Sequence, residues 1–322
     1  MAKKIKKQSS ITSADDLVTS RERTRAGFIA MALEKNYLAV PYIEEAKALK
    51  LLAKKVKSPK ALLNLDEVRV GLLTASGLSD KSLNYLTEDD KVLAIKGLIE
   101  EFLEPAGSNF IDELVYRYLL TKGDALGGKA RNLAGTLGER KFLRTLLSVF
   151  NLAGIDYKWL DRETCTWQDK PEDDTGLEKR INGLHWNHQS MPRLLVMNIS
   201  IPIVKKNVDL CIIEGTPADI KKGKGSIIHL SDKFLALGEL KGGIDPAGAD
   251  EHWKTANSAL IRIRTSFGTV NHRPKTFFAG AAIERSMATE MFNELQTGVL
   301  SKAANLTSDG QLTEMCSWII EL

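Results

Sequence analysis

The chain has 322 residues, and its 45 Lys and Arg against 41 Asp and Glu give a formal net charge of only +4. A hydrophobic content of 43% with 27% charged residues excludes a disordered chain. Since a domain typically has roughly 150 residues, the length predicts about two domains. The charge is uneven, because residues 1–60 hold 14 Lys and Arg against 6 Asp and Glu.

The cellular compartment is indicated by signals that the sequence lacks. The basic start MAKKIKKQSS is not followed by the apolar stretch of a secretory signal, and no apolar run approaches the ~20 residues that a membrane span needs. Cys165, Cys211 and Cys316 are odd in number and widely spaced, which argues against a disulfide framework and against a thiolate zinc site. We therefore expect a cytoplasmic protein without a membrane segment.

Residues 13–122 have the pattern of a mainly helical domain. Two hydroxyl residues stand three positions before a carboxylate, as in a capping box at a helix start: Ser13 with Asp16, and Thr87 with Asp90. Apolar residues that recur about every 3.6 positions predict helices over residues 43–56, 92–103 and 110–120. We therefore predict a helical domain over residues 1–125, joined to the remainder by a Gly-rich link at residues 123–129.

Residues 126–322 are predicted to form an α/β domain. After a helix over residues 133–152, apolar runs bounded by turns predict strands at residues 157–160, 193–204, 207–214, 234–241 and 276–283. Residues 161–190 are polar and are predicted to be irregular. Further helices are predicted over residues 249–267, 284–295 and 313–322. This order of elements predicts a mixed central sheet flanked by helices.

Two acids and a lysine fall on strands that are predicted to be neighbours. Strand alternation puts Glu239 and Lys241 on one face, and it turns Asp209 away from the apolar Val208 and Leu210. If the two strands pair, the carboxylates can hold Mg²⁺ against a phosphodiester while the lysine orients the attacking water. An isolated E-x-K triplet is more often a surface salt bridge, so that alternative stays open on the pattern alone.

The wider context of this triplet resembles a known nuclease core. Asp209 followed by Glu239-x-Lys241, after a helix carrying Glu139 and before the strand TFFAGAAI, is similar to the PD-(D/E)XK core. The stretch GELKGGIDPAGADEHWKTA, residues 238–256, resembles the active-site segment of the AvaI/BsoBI family of type II restriction endonucleases. The likeness extends over essentially the whole chain.

This resemblance implies a restriction-endonuclease-like α/β domain and a helical domain that helps to enclose DNA. It also implies a homodimer that cleaves double-stranded DNA at CYCGRG, with Mg²⁺ as its cofactor and no organic cofactor. The implied metal ligands are Asp209, Glu239 and Leu240. The motif identifies Asp209 less specifically than the other two, because Val208 stands before it where the superfamily often has proline. Glu214 and Asp232 are therefore alternatives for the first acid.

Two residues beyond the E-x-K strand are candidates for supporting roles. The family resemblance makes His252 an auxiliary base or a water-positioning group, since a histidine can accept a proton near neutral pH. A cap or surface histidine is the alternative. Asp245 lies in the loop after the strand, where a carboxylate can accept a hydrogen bond from a cytosine amino group. It can equally serve only to cap the turn at Pro246.

Several cations are candidates for contacts with DNA phosphates. They are Lys221, Lys222 and Lys224 in a Gly-rich turn, Lys254 and Arg273 in an acid-free stretch after His252, and the N-terminal Lys3, Lys4, Lys6 and Lys7. Lys81, in a loop of the helical domain, is a candidate for a contact in a DNA groove. Each cluster can instead be an ordinary solvated surface. Two other functions fit the same residues: a non-catalytic DNA-binding protein, and a structure-specific repair or recombination nuclease.

Overall fold

The computed structural model describes residues 10–130 and 132–322, so the predicted arm of N-terminal lysines lies outside the described residues. No helix within these two ranges is long and apolar enough to cross a membrane. All three cysteines are free thiols, with Cys211 and Cys316 buried and Cys165 exposed.

Helices occupy most of the first half of the chain. They are α1 (Arg21–Ala53), α2 (Arg69–Ala75), α3 (Asp80–Leu83), α4 (Glu88–Leu98), α5 (Phe110–Ala130) and α6 (Leu133–Leu152), and a π-helical segment (Ile99–Leu103) continues α4. Both predicted capping boxes are present, at Ser13 with Asp16 and at Thr87 with Asp90. The helical character predicted for this half is therefore confirmed.

The second half forms an eight-stranded sheet with helices after its later strands. The strands are β1 (Tyr157–Asp161), β2 (Trp167–Asp169), β3 (Ile181–His188), β4 (Met191–Ile201), β5 (Lys206–Glu214), β6 (Phe234–Lys241), β7 (Lys275–Gly280) and β8 (Lys302–Asn305). The later helices are α7 (Ala249–Gly268), α8 (Arg285–Gln296) and α9 (Asp309–Ile320).

The sheet is mixed, as the sequence predicts. Its strand order is β2-β1-β3-β4-β5-β6-β7-β8, with antiparallel pairing from β2 to β6 and parallel pairing from β6 to β8. A parallel pair needs a crossover connection, and α7 and α8 supply the two crossovers. The predicted α/β class with a mixed central sheet flanked by helices is therefore confirmed.

Helices cover both faces of the sheet because successive strand residues point to opposite sides. On β7, Phe278 packs edge-on against Trp253 of α7 with ring centroids 5.2 Å apart. Its neighbour Phe277 packs against Trp318 of α9 at 5.5 Å. On the α9 side, Phe150 of α6 lies 5.3 Å from Trp186 of β3. The central strands β4 to β7 are thus mostly buried on both faces, which explains their nearly continuous apolar sequences.

The chain divides into two compact units at positions other than the predicted boundary after residue 125. One unit is Ile29–Leu133, and the other joins the residues up to Phe28 with Ala134–Leu322. The N-terminal segment belongs to the sheet unit because Leu17 is fully buried there. The Thr19 hydroxyl also donates to Ala281 O at 2.7 Å and accepts from Ile283 N at 3.0 Å.

The helical unit has a separate apolar core. Most of its buried residues come from α1, α2, α4 and α5, and they include Leu49, Leu72, Ile95 and Leu114. The Gly-rich stretch that was predicted as a link lies within α5, where Leu126 is buried. Packing of this leucine outweighs the low helix propensity of the glycines around it.

Two further elements differ from the sequence predictions. Residues 161–190, predicted to be irregular, contain the whole of β2 and of β3. The strand β3 was missed because the sequence LHWNHQ is largely polar, although Leu184 and Trp186 are buried within it. The short edge strand β8 was not predicted, because KAAN has little apolar bulk or alternation.

Candidate active site

The two predicted acids and the lysine meet at one end of the paired strands β5 and β6. Leu210 is opposite Gly238 in this antiparallel pair, so Asp209 is opposite Glu239. Lys241 Nζ lies 2.8 Å from Asp209 Oδ2 and 2.8 Å from Glu239 Oε2. The same Asp209 oxygen accepts a hydrogen bond of 2.9 Å from the backbone N–H of Leu240. The alternative acids Glu214 and Asp232 belong to the other end of these strands, where Glu214 pairs with Lys233.

Burial and mutual charge shift the pKa values of Glu239 and Lys241 in this cluster. The Glu239 side chain is only 5% exposed, whereas Asp209 is 26% exposed. Burial, together with the negative charge of Asp209, raises the pKa of Glu239 to about 7. Burial also disfavours the Lys241 ammonium, but the charges of Asp209 and Glu239 outweigh this effect and raise its pKa. Lys241 therefore stays protonated at neutral pH.

The residues present fit a hard divalent cation. Both carboxylates converge on one positive group, the Lys241 ammonium, and this shows that they can approach a single cation from two sides. Their donor atoms are oxygens, the type that Mg²⁺ prefers. Among the described residues, no third His, Cys, Asp or Glu joins them to form a metal-binding group. A backbone carbonyl such as that of Leu240, water and a phosphate oxygen would have to complete the coordination.

The loop after Lys241 is held by a close approach between backbones. A Cβ added at Gly242 would lie 2.4 Å from the carbonyl oxygen of Ala134, and one added at Gly138 would lie 2.5 Å from Gly242 Cα. Only residues without a side chain fit on both sides of this contact. The glycines of ELKGG thus let the start of α6 support the strand end that carries Lys241.

His252, in the first turn of α7, lies against this same loop. A Cβ at Gly243 would come 3.0 Å from His252 Nε2, and one at Gly248 would come 3.3 Å from it. The imidazole is exposed, and neither ring nitrogen has a hydrogen-bond partner within the described ranges. The ring is therefore available to a water molecule or a substrate atom near the loop.

Comparison with known proteins now identifies the family. The family model described as "Restriction endonuclease BsobI" matches residues 7–322. The type II restriction enzyme AvaI of Nostoc sp. is 52% identical over 312 residues, which cover 97% of this chain and 98% of AvaI. The type II restriction enzyme BsoBI of Geobacillus stearothermophilus is 52% identical over 315 residues, 97% of each chain.

The chain belongs to the BsoBI restriction endonuclease family. It is a type II site-specific deoxyribonuclease, so the predicted family and enzyme class are confirmed. Family membership also decides against the two other functions that the sequence left open, a non-catalytic DNA-binding protein and a structure-specific repair nuclease.

Asp245 has a structural role in this BsoBI-family fold. Its Oδ1 accepts a hydrogen bond of 3.0 Å from Ala247 N and caps the short helix Pro246–Gly248. This is the capping function that the sequence offered as the alternative to base contact. No described residue bonds to Oδ2, so one carboxylate oxygen remains able to accept from DNA.

Asn198 is a neighbour of the site that sequence reasoning missed. Met197 pairs with Leu210 and Ile199 with Val208, so Asn198 lies opposite Asp209. Its backbone is left-handed, with a φ of 51°, and its amide donates to Glu139 Oε2 at 3.3 Å. The signal in the sequence is a single polar residue that interrupts the apolar run RLLVMNISI.

Three arginines near the start of α1 also escaped the sequence analysis. Arg21, Arg23 and Arg25 are exposed, and no side chain of the described residues pairs with them. A Cβ at Gly27 would lie 2.4 Å from Ile244 Cγ1, so this part of α1 packs directly on the loop beyond Gly243. Arg23 precedes Gly27 by one helical turn and shares its face. The signal was the run RERTR, which contributes to the N-terminal charge excess.

The other cations predicted to bind DNA do not lie at the candidate site formed by Asp209 and Glu239. The turn that joins the end of β5 to the start of β6 contains Lys221, Lys222 and Lys224, and it lies at the opposite end of these strands from Asp209 and Glu239. Arg273 precedes β7, whose first residue pairs with Ala236 at that same far end. Lys254 is exposed on α7 and forms an ion pair with Asp250. Lys81 lies on α3 of the helical unit.

Proposed function

We propose that the chain cleaves both strands of DNA at CYCGRG as a Mg²⁺-dependent homodimer. The observation that carries this proposal is the convergence of Asp209 and Glu239 on Lys241 Nζ at 2.8 Å, at the end of the strand that bears the family segment. In this proposal Asp209, Glu239 and the Leu240 carbonyl hold Mg²⁺. When bound, the ion would offset charge that develops on the scissile phosphate.

The proposed roles of the Lys241 and His252 side chains follow from their protonation and their hydrogen bonds. The Lys241 ammonium is protonated at neutral pH and so cannot be the base. It instead donates hydrogen bonds, which orient the attacking water and the phosphate. The His252 imidazole has free ring nitrogens and is therefore the group that accepts a proton from that water. Asp209 and Glu239 keep the lysine at the strand end through their two contacts with Nζ.

The DNA contacts fall into two classes. Arg23 and its neighbours Arg21 and Arg25 are proposed to bind backbone phosphates beside the scissile bond, because they are unpaired cations next to the catalytic loop. Asp245 and Lys81 are proposed to contact bases, Asp245 through its free Oδ2. The helical unit is proposed to help enclose the DNA.

Site-directed variants test the assignment of the first acid. Asp209→Asn should abolish cutting of plasmid DNA in Mg²⁺, because it removes one of the two charges that face the cation. Glu214→Gln is the matched control, since Glu214 is an acid on the same strand and was the sequence alternative. Equal cutting by Asp209→Asn and the unmodified enzyme, or loss of cutting in Glu214→Gln alone, would contradict the proposed site.

Target and assembly are tested separately. Sequencing the fragment ends of a digested plasmid should place every cut within CYCGRG, and ends at unrelated sequences would refute that target. A palindromic target suits a twofold dimer in which each subunit cuts one strand. Sedimentation of the full-length chain should therefore give twice the monomer mass, and a strictly monomeric species at assay concentration would refute the homodimer.

A further inference from the structure

A basic cavity opens at the end of the sheet that is remote from the catalytic carboxylates. It has a volume of about 620 Å³ and lies where α7 ends, β7 begins and α8 gives way to β8. Lys275 is opposite Ala236, whereas Gly280 is opposite Lys241. Five strand residues at about 3.3 Å each therefore separate the cavity level from the catalytic level by roughly 16 Å.

The lining of the cavity is cationic and rich in hydroxyl groups. Its three cations are Arg264, Arg273 and Lys275, and no Asp or Glu belongs to the lining. The hydroxyl groups of Thr265 and Ser301 also line it, and neither has a hydrogen-bond partner among residues 10–130 and 132–322. The walls thus present several hydrogen-bond donors, and Arg264 is the one of the three cations that has an ion pair, with Glu294, among the described residues.

Arg264 is held in place but is incompletely bonded. Its Nη1 makes three long contacts, to Thr276 Oγ1 at 3.3 Å, to Val299 O at 3.4 Å and to Glu294 Oε2 at 3.5 Å. Its Nε and Nη2 have no partner in the described chain, and neither is a buried, unsatisfied atom. The guanidinium is therefore anchored through one nitrogen while two adjacent donors remain accessible, which suits bidentate binding of an oxyanion.

The cations of the cavity are not needed to offset the partial negative charge at the C-termini of α7 and α8. Two helix C-termini adjoin the cavity, and cations are favourable near such ends. However, the carbonyls concerned already accept backbone hydrogen bonds: Gly268 O from Asn271 N, Ser266 O from Thr269 N, and Leu295 O from Gly298 N. The exposed donors of Arg264 and the unpaired Arg273 are left without a partner inside the fold.

We propose that this cavity is a second phosphate-binding site, distinct from the catalytic one. Its ligand is a phosphate-bearing anion held by the Arg264 fork, with Arg273 and Lys275 beside it. The volume falls within the range of about 300–1,000 Å³ that is common for small-molecule sites. Two sources share this chemistry: a free nucleotide or phosphate, and the backbone of DNA beyond the catalytic cleft.

The test measures binding to the full-length protein by calorimetry in the absence of divalent metal, so that it does not depend on cleavage. The probes are inorganic phosphate, ADP and a short duplex without CYCGRG. Arg264→Lys keeps the charge but removes the fork, and Arg273→Ala removes one cation. Arg262→Ala is the matched control, because Arg262 is exposed on the same helix, has no partner within the described residues and lies outside the cavity lining.

The probes distinguish the two sources. If phosphate or ADP binds, and binds about tenfold more weakly to Arg264→Lys and Arg273→Ala than to Arg262→Ala, the site takes a free phosphate compound. If only the duplex shows this difference, the site takes DNA backbone. If no probe distinguishes the two cavity variants from Arg262→Ala, while all three melt at the unmodified temperature, the proposal is overturned. If Arg273→Ala melts at a lower temperature, the comparison of Arg264→Lys with Arg262→Ala alone decides whether the proposal holds.

Discussion

Replacing Gly242 by alanine tests whether the backbone contact with α6 supports the end of β6, which carries the proposed catalytic residues. The new Cβ would lie 2.4 Å from Ala134 O, 2.9 Å from Gly135 O and 3.0 Å from Gly135 Cα. All three atoms belong to the backbone, so no side-chain rotation can relieve the clash. Opening the shortest contact from 2.4 to 3.0 Å requires a movement of at least 0.6 Å.

The magnitude of the effect follows from this movement. Overpacking of a tight contact costs about 1–3 kcal/mol, so Gly242→Ala should lower the melting temperature by several degrees. Because a misplacement of about 1 Å can cost 100-fold in rate, we expect kcat to fall by about 10- to 100-fold. KM should change less, since the side chains that face DNA are intact.

The assay combines single-turnover cleavage of a duplex with thermal denaturation. Gly138→Ala presses on the same contact from α6, where the new Cβ would lie 2.5 Å from Gly242 Cα, and should produce the same defect. Gly310→Ala is the control, because an added Cβ there meets nothing within 4 Å. Wild-type rates and melting temperatures in both Gly242→Ala and Gly138→Ala would refute the supporting role of α6.

Three further changes have distinct signatures. In metal-free buffer, Glu239→Gln should raise the melting temperature near pH 8 but not near pH 5. Burial and the charge of Asp209 raise the Glu239 pKa to about 7, so above that pH the ionised carboxylate opposes folding, whereas at pH 5 it is protonated. An equal gain in melting temperature at both pH values would contradict this. Asp174→Asn should lower the free energy of unfolding by about 2 kcal/mol at neutral pH, after allowance for solvent screening of Arg144. The hydrogen bond from Arg144 lowers the Asp174 pKa, so this loss should fade as the pH falls below 3.8, and a loss that persists in acid would argue against the ion pair. Thr19→Val should cost about 2 kcal/mol in urea denaturation, because the Asn305 amide loses one of its two acceptors and the Ile283 N–H loses the same hydroxyl; unchanged stability would show that the hydroxyl contributes nothing.

The meeting of Asp209, Glu239 and Lys241 was predictable because it depends on the regular geometry of strands. Strand alternation determines which side chains share a face, and strands that are consecutive in the chain are usually neighbours in the sheet, although residues 215–233 separate β5 from β6. The strand predicted over residues 234–241 has the same bounds as β6. Family resemblance then supplied the chemistry that the pattern alone left open.

The placement of the cations was not predictable in the same way. Charge counts along the sequence carry no information about which end of a strand a residue occupies. Arg273 and Lys222 consequently fall at the far end of the sheet, whereas Arg23, which is remote in sequence, shares a helix face with Gly27, which packs on the loop after Lys241. Contacts between residues more than two hundred positions apart depend on tertiary packing, which no local pattern records.

The anchoring of the N-terminal segment by the last strands has a consequence for biosynthesis. The Asn305 amide donates to Leu17 O at 2.8 Å, and the two residues are 288 positions apart. At about 5–20 residues per second, a ribosome needs on the order of 15–60 s to extend the chain between them. Throughout that interval the segment before α1 lacks this hydrogen bond, so the sheet unit, which contains both ends of the chain, cannot be completed until the last strand has been made.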